Sequence, residues 1–208
     1  MSMSGTIQTG PLSARFNHDG YERLDDVFDL ESIAELRADF PGQLMRTSKL
    51  VRFSRHLMLA SLARQALGPE SRVINATYFE VAQGNGVGPR YRDDQYFELD
   101  AGQLLTCIVA LDDVTDSSGA FVVAPGGGDA TARTVAMRAG SVLMCADSLT
   151  RYTNPNRNDE AAVYAVFQYC SAVDLPTPLP GFAHGFATLL PSTDRVSVVA
   201  NGRFVAFP

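Results

Sequence analysis

Apolar positions change their period along the chain. In "LESIAELRADF" (30–40), Leu30, Ile33, Ala34 and Leu36 recur three or four residues apart and share one helix face, and Asp29 stands where an N-cap belongs. "SRHLMLASLARQALG" (54–68) repeats that period, with Gly68 and Pro69 to end it. Asp19-Gly20 marks a turn ahead of a short strand. From about residue 72 the helical period disappears. "RVINATYFEVAQ", "QLLTCIVALDDV", "GAFVVAPGG", "GSVLMCAD" and "AAVYAVFQYC" are short β-branched or aromatic runs separated by Gly, Pro, Asn and Asp. This pattern predicts two helices followed by a closed or double-sheet β body over about residues 72–170. "VDLPTPLPGFAHGF" reads as a Pro-rich connection, and "RVSVVANGRFVAF" as a hairpin turning at Asn201-Gly202.

Composition narrows the picture. The 208 residues suit a flexible N-terminus (1–15) and one domain (16–208) with a sizeable core. A net charge of -6 with no basic run argues against nucleic acid as a partner. No apolar stretch reaches the roughly 18 residues of a membrane span, and "MSMSGTIQTGPLSARF" has no signal-peptide core, so a cytoplasmic location is expected. Cys107, Cys145 and Cys170 lack zinc spacing and read as buried, inert thiols. "APGGGDATAR" has neither Walker spacing nor Lys, and "LDDVTD" reads as a solvated acidic turn rather than a calcium loop.

Several segments, taken in order, resemble the phytanoyl-CoA dioxygenase family: "HDGYERLDDVFDLESIAELR", "LASLARQALGPESRV", "YRDDQYF", "LLTCIVALDDVTDSSGAFVVAPGG", "AGSVLMCADSLTRYTNPNRND" and "YAVFQY". The resemblance covers roughly residues 16–170 and implies a mainly β, double-stranded β-helix (jelly-roll, cupin-like) core behind N-terminal helices. It also implies an Fe(II)/2-oxoglutarate centre of two His and one carboxylate. Here that centre departs from the family. The His-x-Asp falls on Arg92-Asp93-Asp94, the second His on Arg151, and the Arg that grips 2-oxoglutarate near Ala161 or Ala162. Arg has five donors and no acceptor, so it cannot ligate iron. The chain's histidines are His18 in a turn, His56 at a helix start, and His184, a candidate to fold over the pocket mouth.

Strand alternation places Arg92 and Asp94 on one face, with Arg151 opposite and Asp93 pointing away. Asp94, Arg92 and Arg151 are therefore the expected catalytic residues: Asp94 to move a proton, the arginines to hold a developing oxyanion. Removing Asp94 is accordingly expected to do more harm than removing Asp93. Tyr91, Gln95, Tyr96 and Tyr152 flank these residues as candidates for lining a substrate pocket. The expected function is that of a redox-neutral isomerase or cyclase, free of metal and cofactor, acting on a small organic metabolite in natural-product biosynthesis. Two alternatives stand beside it: a non-catalytic binding or regulatory relative, and a dioxygenase with an atypical metal site. A small molecule is the expected partner, and the sequence leaves homo-oligomerisation open.

Overall fold

The structure, a computed structural model, describes residues 14–42, 46–98, 100–171, 177–178, 189–190, 195–200 and 203–204. Helix α1 (Ala14–Asp19) leads into strand β1 (Tyr21–Leu24), and α2 (Leu30–Asp39), α3 (Ser48–Phe53) and α4 (Leu57–Leu67) follow. The remaining strands are β2 (Ser71–Val81), β3 (Phe97–Glu98), β4 (Leu104–Ala110), β5 (Phe121–Ala124), β6 (Arg133–Val135), β7 (Val142–Ala146), β8 (Thr150–Thr153), β9 (Ala162–Ser171), β10 (Thr177–Pro178), β11 (Ser197–Ala200) and β12 (Arg203–Phe204). A seven-stranded antiparallel sheet runs β1-β7-β4-β9-β2-β11-β12 and faces a three-stranded sheet, β6-β5-β8. The architecture is the mainly β, double-stranded β-helix expected from the sequence.

Alternation along the central strands divides the core in two. On β9, Val163, Ala165, Phe167 and Tyr169 pack toward Leu36, Leu50 and Leu59 of the helices. Ala162, Tyr164 and Val166 point the other way, toward Phe121 and Val123 of the small sheet. On β4, Leu105, Cys107 and Val109 take the helix side, while Ile108 and Ala110 take the inter-sheet side. Residues of the same parity, Gln168 and Thr106, therefore enter the space between the sheets.

The helix caps read from sequence are present. Asp29 accepts from Ser32 N at 2.8 Å, and Gly68 ends α4 at φ 88°. Several elements differ from expectation. The second predicted helix begins at Leu57 rather than residue 54, and two six-residue helices, α1 and α3, join the pair predicted. The large sheet also reaches beyond residues 72–170, because β1 pairs with β7, and β11 pairs with β2 and β12. Residues 1–13 of the expected flexible N-terminus, most of the Pro-rich connection, His184 and the Asn201-Gly202 turn lie outside the described residues, while the last two residues of that N-terminus open α1. All three cysteines are buried free thiols, and burial pushes Cys145 up to about 12. The "LDDVTD" carboxylates have structural work: Asp112 accepts from Arg37 at 2.9 Å and from Val163 N at 2.9 Å, and Asp113 from Ala139 N at 2.8 Å. Among the described residues, no helix is long and apolar enough to cross a membrane.

His56 caps α4 through Nδ1, which accepts from Met58 N at 3.2 Å, and its ring lies 5.1 Å from Phe28 and 5.3 Å from Phe53. Burial holds its pKa below the ordinary 6.5 despite the opposing pull of Asp29. The unfolded chain therefore takes up the proton first as pH falls, so stability declines as pH drops through 6.5 toward the folded value. The melting temperature should fall between about pH 7 and pH 5, and His56→Asn should flatten that part of the profile. An unchanged slope in the variant would overturn this assignment.

Candidate functional site

Three polar side chains interrupt the apolar faces of the central strands. Asn75 on β2 lies opposite Gln168 on β9, and Gln168 lies opposite Thr106 on β4. All three are completely buried. A buried polar group is costly unless bonded, so this row requires partners. The partners come from the segment before β3 and from β8.

Tyr91 forms an antiparallel bridge with Arg151, each amide donating to the other's carbonyl at 3.0 Å. Directly paired residues project to the same face. The Arg151 guanidinium accordingly lies 4.7 Å from the Tyr91 ring centroid. After Arg92 the backbone leaves the extended form and makes a 3₁₀ turn over Asp93–Gln95. The amides of Asp93 and Asp94 both donate to the Asp147 carbonyl, at 3.0 and 3.2 Å. The Asp147 carboxylate is itself held by Gly102 N and Ser148 N at 2.7 Å each, and burial raises its pKa.

Extended backbone at Arg92 sets Asp93 on the same side as Tyr91, where it is fully buried and paired with Arg151, which is 1% exposed. Arg151 Nη2 donates to both carboxylate oxygens at 2.6 Å. Thr106 Oγ1 donates to Oδ2 at 2.6 Å, and Gln168 Nε2 donates to Oδ1 at 3.3 Å. A carboxylate offers about four lone-pair positions, and four hydrogen bonds from three donor atoms fill them.

The row continues outward from Gln168. Gln168 Oε1 accepts from Asn75 Nδ2 at 3.0 Å, and Asn75 Oδ1 accepts from Arg46 Nη2 at 3.1 Å. Arg only donates and a carboxylate only accepts, so the two amides between them must run in one direction. Burial alone would pull the Arg151 pKa down, but Asp93, with Tyr91 and Cys145, holds it well above the ordinary range. Burial pushes the Tyr91 phenol up to about 12, so it is neutral at neutral pH. Arg151 Nε and Nη1 are buried without a hydrogen-bond partner.

The expected site residues divide. Arg151 and Tyr91 converge. Arg92 and Asp94 do not join them: they pair with each other at 3.0 Å, with side chains 42% and 29% exposed. The expectation that Asp94 faces Arg151 while Asp93 points away is reversed, because the period of two starts from Tyr91, which pairs with Arg151, and runs through extended Arg92 to Asp93. The pair facing Arg151 is Tyr91 and Asp93, one residue earlier than the sequence reading. Gln95 is exposed and accepts from Arg92 N at 3.3 Å. Tyr96 is half-buried, 6.1 Å from the Tyr91 ring. Tyr152 alternates with Arg151 on β8 and so leaves the interior, lying beneath Arg90 at 4.8 Å. The sequence reading missed Asp93, Thr106, Gln168, Asn75 and Arg46.

The described residues around Arg151 do not suit the family's iron centre. Every lone pair of Asp93 is already engaged, Arg151 has none to give, and Tyr91 is a neutral phenol. Among the described residues no group of three His, Cys, Asp or Glu is placed to hold a metal ion. His18 is a surface residue 2.6 Å from Asp19, and His56 is the α4 cap. Ala162, near the position of the 2-oxoglutarate anchor, is a buried apolar residue opening β9.

Residues 39–162, more than half of the chain, match the family described as Phytanoyl-CoA dioxygenase (PhyH). The fold resembles that of SnoN, a non-heme alpha-ketoglutarate dependent epimerase from nogalamycin biosynthesis. The two share 21% identity and a TM-score of 0.73 over 86% of this chain and 88% of that one. SnoK, the alpha-ketoglutarate dependent carbocyclase of nogalamycin biosynthesis, superposes with a TM-score of 0.71 at 17% identity, over 88% and 94% of the two chains. HygX from Streptomyces hygroscopicus, with nickel and 2-oxoglutarate bound, gives 0.66 at 14% identity over 76% and 84%. No curated protein sequence matches the chain. At these identities the structural likeness is one of fold.

Proposed function

Because the chain belongs to the phytanoyl-CoA dioxygenase family, we propose that it carries out redox-neutral chemistry on an oxygenase scaffold: a metal-independent isomerase or cyclase acting on a small organic metabolite in natural-product biosynthesis. The observation that carries this reading is the buried Arg151–Asp93 pair. Asp93 has no lone pair left for a metal, while Arg151 keeps donors on Nε and Nη1. Preorganised donors in a dry site stabilise an oxygen that gains negative charge during reaction. Asp93 fixes the guanidinium and cancels its charge. The Tyr91 phenol, at about 12, can give a proton at neutral pH but cannot take one. Holding a flexible substrate in a reactive conformation supplies the remainder. The descriptions of SnoN as an epimerase and SnoK as a carbocyclase support the isomerase or cyclase class, although both are alpha-ketoglutarate dependent.

A non-catalytic binding role has one observation in its favour: the saturated Asp93 carboxylate is not free to act as a base. It uses the same Arg151 donors, but would return its ligand unchanged.

The metal-free reading is tested by incubating the purified chain with Fe(II) and 2-oxoglutarate in air, then measuring bound metal and succinate. Bound iron well below one per chain and no succinate above a protein-free control are expected. Stoichiometric iron with succinate formation would overturn the proposal in favour of a dioxygenase with an atypical metal site.

A further inference from the structure

Arg151 carries five N–H groups. Nη2 is directed at Asp93, shared between its two oxygens, and the three N–H groups on Nε and Nη1 are buried with no hydrogen-bond partner. Leaving buried donors of a charged group unmade is expensive, and these lie on a side chain only 1% exposed. They point to an acceptor that enters the site.

From these donors and the charges around them, we infer that the site takes the carbonyl oxygen of an uncharged ligand, a ketone or ester, in preference to a carboxylate. The inference rests on reading the Arg151 cluster as a ligand site, and it names the class of ligand. Arg151 and Asp93 cancel each other, and the next pair, Arg92 and Asp94, cancels as well. Asp147, whose backbone holds both aspartates in the turn, brings no positive charge. Arg46, at the far end of the relay, is the remaining cation and Asp147 the remaining carboxylate, so no net positive charge is left among these residues to offset an incoming anion. A carboxylate on Arg151 would give up its hydration and sit beside Asp93, a like charge. A carbonyl brings the same lone pairs with neither penalty. Arg151 would also meet it more strongly as negative charge develops on its oxygen, the condition for stabilising a reaction rather than a resting ligand. The Asn75–Gln168 relay supports this selectivity, because it keeps Asp93 an acceptor and the pair neutral.

The test uses two probes of one shape, cyclohexanone and cyclohexanecarboxylate, titrated into full-length protein labelled with ¹⁵N-arginine. The Arg151 Nε–H resonance is assigned by its loss in Arg151→Lys. If that variant fails to fold, the paired Asp93→Asn/Arg151→Gln change serves, since it removes both charges together. Cyclohexanone should shift the resonance saturably, and cyclohexanecarboxylate should bind at least about tenfold more weakly. Equal or tighter binding of the carboxylate would overturn the inference while leaving the cluster a ligand site. An Arg151 resonance unmoved by either probe would overturn the inference and the ligand-site reading together, leaving an internal clamp. Neither outcome bears on iron, which the succinate and metal measurement decides separately.

Discussion

Arg151→Met should cost the protein about 3–5 kcal/mol of stability, and Asp93→Ala a similar amount, because each leaves its partner charged and unpaired in a dry interior. Asp93 and Arg151 are 0% and 1% exposed, so water cannot take over the lost contact. Arg92→Met and Asp94→Ala should each cost about 1 kcal/mol or less, since that pair is half-exposed and screened. This ordering is the opposite of the one strand alternation suggests from sequence. The double variant Asp93→Asn/Arg151→Met should recover only part of the loss. Thr106 and Gln168 approach opposite oxygens of Asp93, and Asn keeps a carbonyl at only one of those positions. Urea denaturation of the five variants at one pH reads the ordering directly. If Arg92→Met were as damaging as Arg151→Met, the buried pair would not be the structural centre of this site.

The fold was legible because it depends on repeated signals. The apolar period of 30–40, the Asp29 cap, the Gly68 stop and the alternating strands each restate the same architecture. Helices α1 and α3 escaped because six residues are too few to display a period. The site was half legible. Arg151 was picked out by the family resemblance, as the residue at the second His position, and β8 does turn it inward. Asp93 was misplaced because alternation was counted from Arg92 rather than from Tyr91, the residue that pairs with Arg151. Nothing in "YRDDQYF" marks which residue pairs across to β8, and so which of the two aspartates faces inward. Asn75, Thr106 and Gln168 did leave a signal: each is a hydrogen-bonding side chain within an apolar strand, on the inter-sheet parity. Such residues need buried partners, and asking where those partners lie would have led to Asp93. Arg46 left none, since its contact with Asn75 spans 29 residues of sequence and depends on how the chain enters α3.

Gln168→Glu tests the direction of the relay with almost no change of shape. Gln168 turns its Nε2 toward Asp93 Oδ1 at 3.3 Å and Thr106 Oγ1 at 3.4 Å, and its Oε1 toward Asn75. In the variant the amide nitrogen becomes an oxygen facing the Asp93 carboxylate. Two carboxylates at that distance cannot both ionise in a buried site, so the pair must hold a proton. The proton-holding group has its folded pKa raised above its unfolded value of about 4.3. Folding then favours the protonated form, and the variant's stability is retained at acid pH and lost as pH rises through the raised pKa. Relative to the unmodified chain, the loss should be small near pH 4 and reach about 4 kcal/mol at pH 8, the equivalent of a shift of about three units. Asn75→Asp should behave differently, because its new carboxylate meets Arg46 at the cationic end of the relay. It gives up the donor to Gln168 Oε1 but gains an ion pair, so its loss should be about 1–3 kcal/mol at most, with no rise toward alkaline pH. Chemical denaturation of both variants between pH 4 and 8 separates them. Equal pH profiles would mean that the amides do not run one way from Arg46 to Asp93.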